Sequence, residues 1–249
     1  MFYDVHCHLD LIKNEKELRT TIKEALTAGV EQMISCSTTF ASNQHNLNLQ
    51  KSFPNVKAGI GLYPLDAMEL NEEELKRAFG FFKTHAKEAI AIGEVGLDYK
   101  FAKSEEQRKK QEEVFRQFIM LSNETKKPLI IHSRFAQSQV IEILVQEKAQ
   151  KVLLHSFVDS EKLMKKVTEQ GFFISVGLSI LSNEQTQKNV QGFPLENLLF
   201  ETDSPIRFNG EKACSKQIIQ IAQKVAELKN ISLEEIEKQL EQNFITLFG

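Results

Sequence analysis

Short apolar runs and longer amphipathic stretches alternate along the whole chain. The apolar runs are rich in Val, Ile, Leu and Phe, which is typical of strands buried on both faces of a parallel sheet. These runs predict strands at Tyr3–His6, Gln32–Cys36, Val56–Ile60, Ala89–Gly93, Leu129–His132, Val152–His155, Phe172–Val176 and Leu198–Glu201. Helical periodicity lies between the strands, with clear examples at Glu15–Ala28, Glu72–Thr84, Glu105–Thr125 and Lys162–Gln170.

Capping residues support the boundaries of these helices. Asn71 precedes an acidic first turn, and Ser104 with Gln107 has the pattern of a capping box. Gly29 and Gly171 follow helical stretches directly before strands, which is a position where glycine commonly ends a helix. These signals predict that strands and helices follow one another in repeated units.

The alternation of strands and helices predicts the fold class. It indicates a parallel sheet with right-handed crossovers. Eight strands in 249 residues favour a closed (β/α)8 TIM barrel over an open doubly wound sheet. The open sheet would need a glycine-rich loop after its first strand, where this chain has His6-Cys7-His8. The segment Ser232–Gly249 predicts one extra C-terminal helix, and we expect a single barrel domain over residues 1–249.

Composition and charge narrow the functional classes. The net charge of −3 argues against a broad basic surface for long duplex DNA. The cysteines, Cys7, Cys36 and Cys214, are three in number and form no CxxC pair, which fits a reducing compartment. We find no signal-peptide pattern and no apolar run long enough for a membrane span. The expected location is therefore cytoplasmic, without membrane association.

Imidazole and carboxylate side chains stand at the ends of several predicted strands. Side chains two positions apart on a strand point the same way, so His6 and His8 can face one ion. In a TIM barrel the C-terminal strand ends meet at one rim, where catalytic residues lie. Neutral imidazoles and carboxylates are suitable ligands for divalent Zn or Mn. The predicted metal ligands are His6, His8, Glu94, His132, His155 and Asp203.

Each of these residues also has an ordinary structural explanation. The histidines could be buried and hydrogen-bonded to backbone carbonyls, and Glu94 could cap nearby amides. Asp203 could be a helix N-cap, since Asp-Ser-Pro often opens a turn or a helix. The shared rim favours the metal site, because scattered structural histidines would have no reason to lie together.

Longer motifs around the same residues support a family resemblance. They are Asp4-Val5-His6-Cys7-His8-Leu9-Asp10, Gly93-Glu94-Val95-Gly96-Leu97-Asp98-Tyr99, His132-Ser133-Arg134, His155-Ser156-Phe157 and Glu201-Thr202-Asp203-Ser204-Pro205. At these motifs, and over essentially its whole length, the chain resembles the TatD family of metal-dependent deoxyribonucleases and related hydrolases, which have amidohydrolase-like barrels. The resemblance implies that His6, His8 and Asp203 hold one metal ion. It also implies that His132 and His155 hold a second ion, and that Glu94 bridges the two.

Two loops depart from the family pattern. After the third strand the family usually shows Gly-x-His-Pro-His, whereas this chain has Gly61-Leu62-Tyr63-Pro64-Leu65. After Asp203 the family often has a longer loop, whereas Ile206–Gly210 is expected to pass quickly to the next helix. The departures concern the loops that face the substrate, so they affect the expected substrate more than the expected chemistry.

The resemblance and the residue types together predict hydrolysis of a phosphodiester. Two divalent ions, Glu94, Asp203 and a bridging hydroxide leave a net positive charge, which suits an anionic substrate. A metal-bound hydroxide would attack phosphorus, since a metal lowers the pKa of its bound water to about 7. Asp203 and Glu94 are the predicted catalytic residues, and Asp203 would accept or pass on the proton. Arg134, Tyr63 and Arg207 are the predicted phosphate contacts. The alternative for Arg134 is a salt bridge, and the alternative for Tyr63 and Arg207 is a packing or solvated role.

The predicted cofactors are two divalent metal ions. Four imidazoles favour Zn or Mn, while Mg and Fe remain open. The predicted substrate is DNA ends or single-stranded DNA, and the sequence implies no protein partner. One alternative is hydrolysis of a non-nucleic ester or amide, because the loop at residues 61–65 is altered. A catalytically silent barrel that binds nucleic acid or protein is a remote alternative, since such proteins usually lose metal ligands.

Overall fold

Eight parallel strands pair in sequence order from the first to the last and form a nearly closed barrel. The computed structural model describes residues 1–249. The strands are β1 (Phe2–Cys7), β2 (Val30–Cys36), β3 (Val56–Ile60), β4 (Ala91–Asp98), β5 (Leu129–Arg134), β6 (Val152–Leu154), β7 (Phe173–Val176) and β8 (Leu198–Phe200). This architecture confirms the predicted (β/α)8 barrel.

Helices connect the strands and cover the outside of the barrel. They are α1 (Glu15–Thr27), α2 (Phe40–Ser52), α3 (Pro64–Glu69), α4 (Glu72–His85), α5 (Glu105–Thr125), α6 (Gln137–Gln146), α7 (Glu161–Glu169), α8 (Glu184–Gly192), α9 (Ile218–Lys229) and α10 (Leu233–Phe248). The predicted caps at Asn71 and Ser104 are present, and Ser232 begins the extra C-terminal helix α10 with a capping box. The sequence signals therefore placed these helix starts correctly.

The hydrophobic core extends from the barrel interior to the layer of helices. Every residue of β1 and of β4 is buried, because a barrel strand is covered on its inner face by other strands and on its outer face by helices. Between α4 and α5, the rings of Phe82 and Phe118 are in edge contact with their centroids 5.0 Å apart. This packing supports the strands from outside and leaves polar side chains to the strand ends.

The seam between β1 and β8 is joined by hydrogen bonds just beyond the end of β8. The Asp203 N–H donates to the His6 carbonyl at 3.0 Å. The buried Asp4 carboxylate accepts from the Thr202 N–H at 3.0 Å and from the Thr202 hydroxyl at 2.6 Å. Burial raises the pKa of Asp4 to about 7, although the bonds from Thr202 oppose the shift. The seam therefore places Asp203 beside the strand that carries His6.

Strand β4 is longer than the sequence predicted. The prediction ended at Gly93, whereas the strand runs from Ala91 to Asp98 and includes Glu94. The apolar run stops at Gly93 because Glu94 is polar, although Glu94 and Asp98 are both buried in the strand. Gly96, with φ +137°, continues the strand where a Cβ would lie only 2.1 Å from the His132 carbonyl oxygen. Glycine is therefore required for β4 to approach β5 this closely.

The loop after β8 also differs from the prediction. Residues Ile206–Gly210 were expected to lead quickly into a helix, but they belong to a short antiparallel hairpin. The hairpin consists of β9 (Arg207–Phe208) and β10 (Glu211–Lys212), and α9 begins only at Ile218. The positive φ of Asn209 and Gly210 forms the tight turn between the two strands.

The Asp4→Ala substitution is expected to weaken the seam between β1 and β8. It leaves two buried donors of Thr202 without their acceptor, and each such group costs about 1–3 kcal/mol. We expect the free energy of unfolding to fall by about 2–4 kcal/mol. Thermal unfolding of chelator-treated protein measures the change. Asp4→Asn, which keeps a carbonyl acceptor, is the control and should lose less. Equal unfolding midpoints for Asp4→Ala and the unmodified protein would contradict the role of this contact.

Candidate metal centre

The six predicted metal ligands meet at the C-terminal mouth of the barrel. Strands β1, β4 and β5 provide ligands from within, while three further ligands lie just beyond the ends of β1, β6 and β8. The residues within strands are His6, Glu94 and His132, and those beyond strand ends are His8, His155 and Asp203. Parallel strands bring their C-terminal ends to one rim, so residues distant in sequence become neighbours here.

The carboxylate of Glu94 lies between two pairs of imidazoles. Its Oε2 is 3.7 Å from Nε2 of His6 and 3.6 Å from Nε2 of His8. Its Oε1 is 2.9 Å from Nδ1 of His132 and 3.0 Å from Nε2 of His155. The two oxygens of one side chain therefore face two separate imidazole pairs.

Asp203 completes the His6–His8 pair from the opposite side of the barrel seam. Its Oδ1 lies 3.5 Å from His6 Nε2 and 3.1 Å from His8 Nε2. The Asp203 side chain is 37% exposed, whereas that of Glu94 is 3% exposed. Asp203 is thus the carboxylate of this cluster that reaches the open mouth.

The side chains fit one or more divalent transition-metal ions. Both ring nitrogens of His6 are fully buried and have no hydrogen-bond partner, which is costly unless another ligand satisfies them. One group of ligand atoms comes from His6, His8 and Asp203, and another comes from His6, Glu94 and His155, each within 4.8 Å. His132 Nδ1 also lies 3.1 Å from His155 Nε2. Imidazole nitrogens and carboxylate oxygens are the donors that zinc and related ions accept.

The sequence profile of the family described as TatD related DNase matches residues 3–249. The chain belongs to the TatD family. It is 30% identical to the uncharacterized metal-dependent hydrolase YabD of Bacillus subtilis, over 100% of this chain and 99% of that protein. It is also 30% identical to human deoxyribonuclease TATDN3, over 98% of this chain and 93% of that protein. The chain is therefore a TatD family metal-dependent hydrolase.

Solved structures agree with the TatD family assignment. The crystal structure of YJJV, a TatD homolog from Escherichia coli, superposes with a TM-score of 0.90 at 25% identity. The match covers 99% of this chain and 97% of the other. No helix of this TatD family member has both the length and the apolar character needed to cross a membrane.

Charges within the cluster compensate one another when no ion is bound. Burial disfavours protonated His8, but its bond to Asp203 and the charge of Glu94 raise its pKa to about 9. Burial likewise opposes charge on His155, yet Glu94 and Glu201 hold its pKa well above the ordinary value. Burial alone would raise the pKa of Glu94, but the neighbouring imidazoles hold it well below its usual range. Protonated His8 and His155 therefore balance the carboxylates until a metal ion replaces the protons.

Asp98 collects hydrogen bonds from three side chains on a single oxygen. Its Oδ2 accepts from the Tyr63 hydroxyl at 2.8 Å and from His132 Nε2 at 3.1 Å. Arg134 donates to the same atom through Nε at 3.0 Å and Nη2 at 2.6 Å. This arrangement directs Nε2 of His132 at Asp98 and leaves Nδ1, 2.9 Å from Glu94 Oε1, as the ring nitrogen that would face a metal ion.

Asp98 has a role that the sequence motifs did not predict, although a signal was available. Asp98 lies four residues after Glu94 on the same strand, so both belong to the positions that face one way. Glu201 is a second unassigned carboxylate, with its Oε1 3.5 Å from His155 Nδ1. A third contact comes from the backbone, because His8 Nδ1 donates to the Cys36 carbonyl at 2.9 Å. These partners orient the imidazoles around the cluster.

The predicted phosphate contacts are only partly brought together. Tyr63 and Arg134 lie beside His132 at the mouth and are joined by a hydrogen bond of 3.3 Å. Both are also bound to Asp98, so their polar groups are held in place before any substrate arrives. Arg207 is exposed in the hairpin after β8 and donates to the Gly210 carbonyl of its own turn. Its contact with a phosphate stays a prediction.

Metal affinity should rise with pH because ions compete with protons for the imidazoles. Below about pH 9 His8 is largely protonated in the metal-free protein, so binding must release that proton. We expect Zn affinity to increase by about tenfold per pH unit for each proton released, between about pH 6 and 8. Titration calorimetry in buffers of different ionisation enthalpy measures both affinity and proton release. Affinity that is independent of pH, without proton release, would contradict this charge assignment.

The Asp98→Asn substitution should weaken metal binding without removing a predicted ligand. Losing the carboxylate loosens the orientation of His132, and partners of this kind typically contribute about 10–100-fold to metal affinity. Competition with a chromophoric chelator measures the change. Tyr63→Phe removes one donor to Asp98 but keeps the carboxylate, so a smaller loss is expected. Unchanged affinity in Asp98→Asn would show that His132 is held by other contacts.

Proposed function

We propose that this TatD family hydrolase is a deoxyribonuclease that uses two divalent metal ions. In this proposal His6, His8 and Asp203 would hold one ion, His132 and His155 would hold the other, and Glu94 would contribute to both sites. The observation that carries the proposal is the position of Glu94, whose two oxygens face separate imidazole pairs. A single ion would not need a carboxylate arranged in this way, with two more imidazoles on its far side.

The donor set suits the chemistry of phosphodiester hydrolysis. Divalent ions, when bound, supply Lewis acidity and make water an effective nucleophile near neutral pH. Glu94 and Asp203 offset only part of the charge of two such ions, so the site favours an anionic substrate. The four imidazoles favour Zn or Mn as the ions.

Asp203 is the proposed proton acceptor in this mechanism. It is the cluster carboxylate that is substantially exposed, so a water molecule and a substrate can both reach it. Burial would raise the pKa of Asp203, but the adjacent imidazoles of His6 and His8 hold it below its usual range. Asp203 is therefore ionised at neutral pH and able to accept a proton. Glu94 is too deeply buried for that task and acts through the ions that it holds.

The proposed substrate is single-stranded DNA or a DNA end. Support comes from the resemblance to human TATDN3, which is named a deoxyribonuclease. The net charge of −3 provides no extended basic surface for a long duplex. Tyr63 and Arg134 are the proposed contacts to the phosphate, because both lie at the mouth beside His132. The Nη1 group of Arg134 makes no hydrogen bond within the protein and is free to donate to a phosphate oxygen.

A hydrolase of a non-nucleic ester or amide is the second candidate. The specific observation is the loop at residues 61–65, which has no histidine and contains Leu62 and Leu65. A panel of chromogenic phosphodiesters and carboxylic esters separates the two candidates. Preference for a carboxylic ester would favour the second.

The decisive test is cleavage of end-labelled single-stranded DNA by chelator-treated protein to which Zn, Mn or Mg is restored. We expect a ladder of products only when a metal is restored. Asp203→Asn should lower kcat by about 100–10,000-fold, as expected for loss of a proton acceptor. Glu94→Gln should lower the bound-metal stoichiometry as well as activity.

Glu124→Gln provides a matched control because Glu124 is exposed on α5, outside the strands that form the site. This control should bind metal and cleave DNA like the unmodified protein. If the protein binds two ions but cleaves no DNA with Zn, Mn or Mg, the nuclease proposal is wrong. Full activity in purified Asp203→Asn would reveal a contaminating nuclease or a different proton acceptor.

A further inference from the structure

An exposed aromatic ring with two cationic neighbours lies in the loop between β4 and α5. Phe101 is 44% exposed, although it is a large apolar residue. The guanidinium carbon of Arg134 lies 5.0 Å from the centroid of its ring, and the Lys100 ammonium lies 5.8 Å from it. We call Lys100, Phe101 and Arg134 the Phe101 platform. None of its members is required for the barrel core.

The loop that carries the platform is held by hydrogen bonds from several directions. The Lys100 N–H donates to the Asp98 carboxylate at 3.0 Å, and the Phe101 and Ala102 N–H groups donate to the Asp98 carbonyl. Tyr99 N–H donates to the Arg134 carbonyl at 2.9 Å, which ties this loop to β5. The exposed ring is therefore presented on a preorganised turn, so little conformational entropy is lost when a ligand covers it.

The platform is connected to the metal centre by direct contacts. Arg134 touches the ring of Phe101 and donates to Asp98, which in turn accepts from His132. Only the guanidinium and one carboxylate separate the exposed ring from a proposed metal ligand. A strand whose phosphate lies at the metal centre would therefore pass close to the ring.

We propose that the Phe101 platform binds an unpaired nucleobase next to the phosphodiester that is cleaved. The base stacks on the exposed surface of Phe101, while Lys100 and the free Nη1 of Arg134 contact the flanking phosphate. This inference rests on the proposed nuclease function and deepens it by naming the feature of the substrate that is recognised.

Physical chemistry selects a single strand as the ligand of this platform. An aromatic face can stack on any base, because every base has a π-face, but the bases of a duplex are already stacked and paired. Cations beside the ring match the negative backbone that accompanies each base. The preference is therefore for single strands or frayed ends, with little dependence on base identity.

The kinetic test compares two oligonucleotides that differ only in an abasic residue at the terminal position. The readout is the ratio of kcat/KM for the base-containing substrate to kcat/KM for the abasic one. We expect a ratio of about 10 or more in the unmodified protein, in the range usual for a stacked base. Phe101→Leu keeps apolar volume but removes the aromatic face, so the ratio should fall close to one. Phe101→Tyr should retain it.

Ile245→Ala is the matched control, because Ile245 is a large apolar residue, 59% exposed, on helix α10. The ratio of kcat/KM values for this variant should equal that of the unmodified protein.

Lys100→Gln tests the phosphate contact separately. It should reduce the slope of log affinity for single-stranded DNA against log salt by about 0.7, the value for one lost contact. An unchanged slope would exclude Lys100 from phosphate binding.

Binding measurements keep this inference separate from the nuclease proposal. Fluorescence anisotropy with Asp203→Asn protein compares the same two oligonucleotides without turnover. One outcome is that the unmodified protein cleaves DNA while neither the kcat/KM ratio nor the preference in oligonucleotide binding depends on Phe101. In that case the proposed role of the Phe101 platform is wrong and the nuclease proposal stands. If no DNA is cleaved, a Phe101-dependent preference for the base still supports the platform. Equal binding of both oligonucleotides would overturn it.

Discussion

The arrangement of the barrel mouth depends on the burial of one charged carboxylate. Glu94 is almost fully buried, and an ionised group in that position is very unfavourable without compensating charges. Four imidazoles surround it because β1, β5 and β6 bring their C-terminal parts to the same rim of the barrel as β4. The position of Glu94 thus links the electrostatics of the site to the closure of the sheet. A local change in strand register would separate the charges that compensate each other.

A second layer of polar contacts orients three of the four imidazoles. His132 is held by Asp98, and His8 is held by the Cys36 carbonyl. His155 faces Glu201, whose Oε2 accepts a hydrogen bond from the Ser175 hydroxyl at 2.5 Å. The supporting groups come from strands β2, β4 and β7 or from the residue after β8, so nearly the whole barrel contributes to holding the cluster.

Sequence patterns predicted the barrel and the residues at its rim, because alternating apolar runs and strand-end positions are local properties. They failed where a residue's role depends on a neighbouring strand. Gly96 lay outside the predicted fourth strand, yet it belongs to β4 and is needed there because the β5 backbone approaches too closely for a Cβ. The partners of Asp98 and Arg134 also depend on the register of β4 against β5, in which these two residues are paired. The hairpin after β8 was missed because its strands have only two residues each.

The contact between Asp4 and Thr202 has a consequence for the order in which the protein assembles. These residues are 198 positions apart in the chain, and they join the first strand to the segment after the last. His6 and His8 belong to the earliest part of the chain, while Asp203 belongs to a late part. Contacts of such long sequence separation form only after much of the chain entropy has been lost. During synthesis, the group of His6, His8 and Asp203 is therefore completed late, and no N-terminal fragment that ends before β8 can contain it.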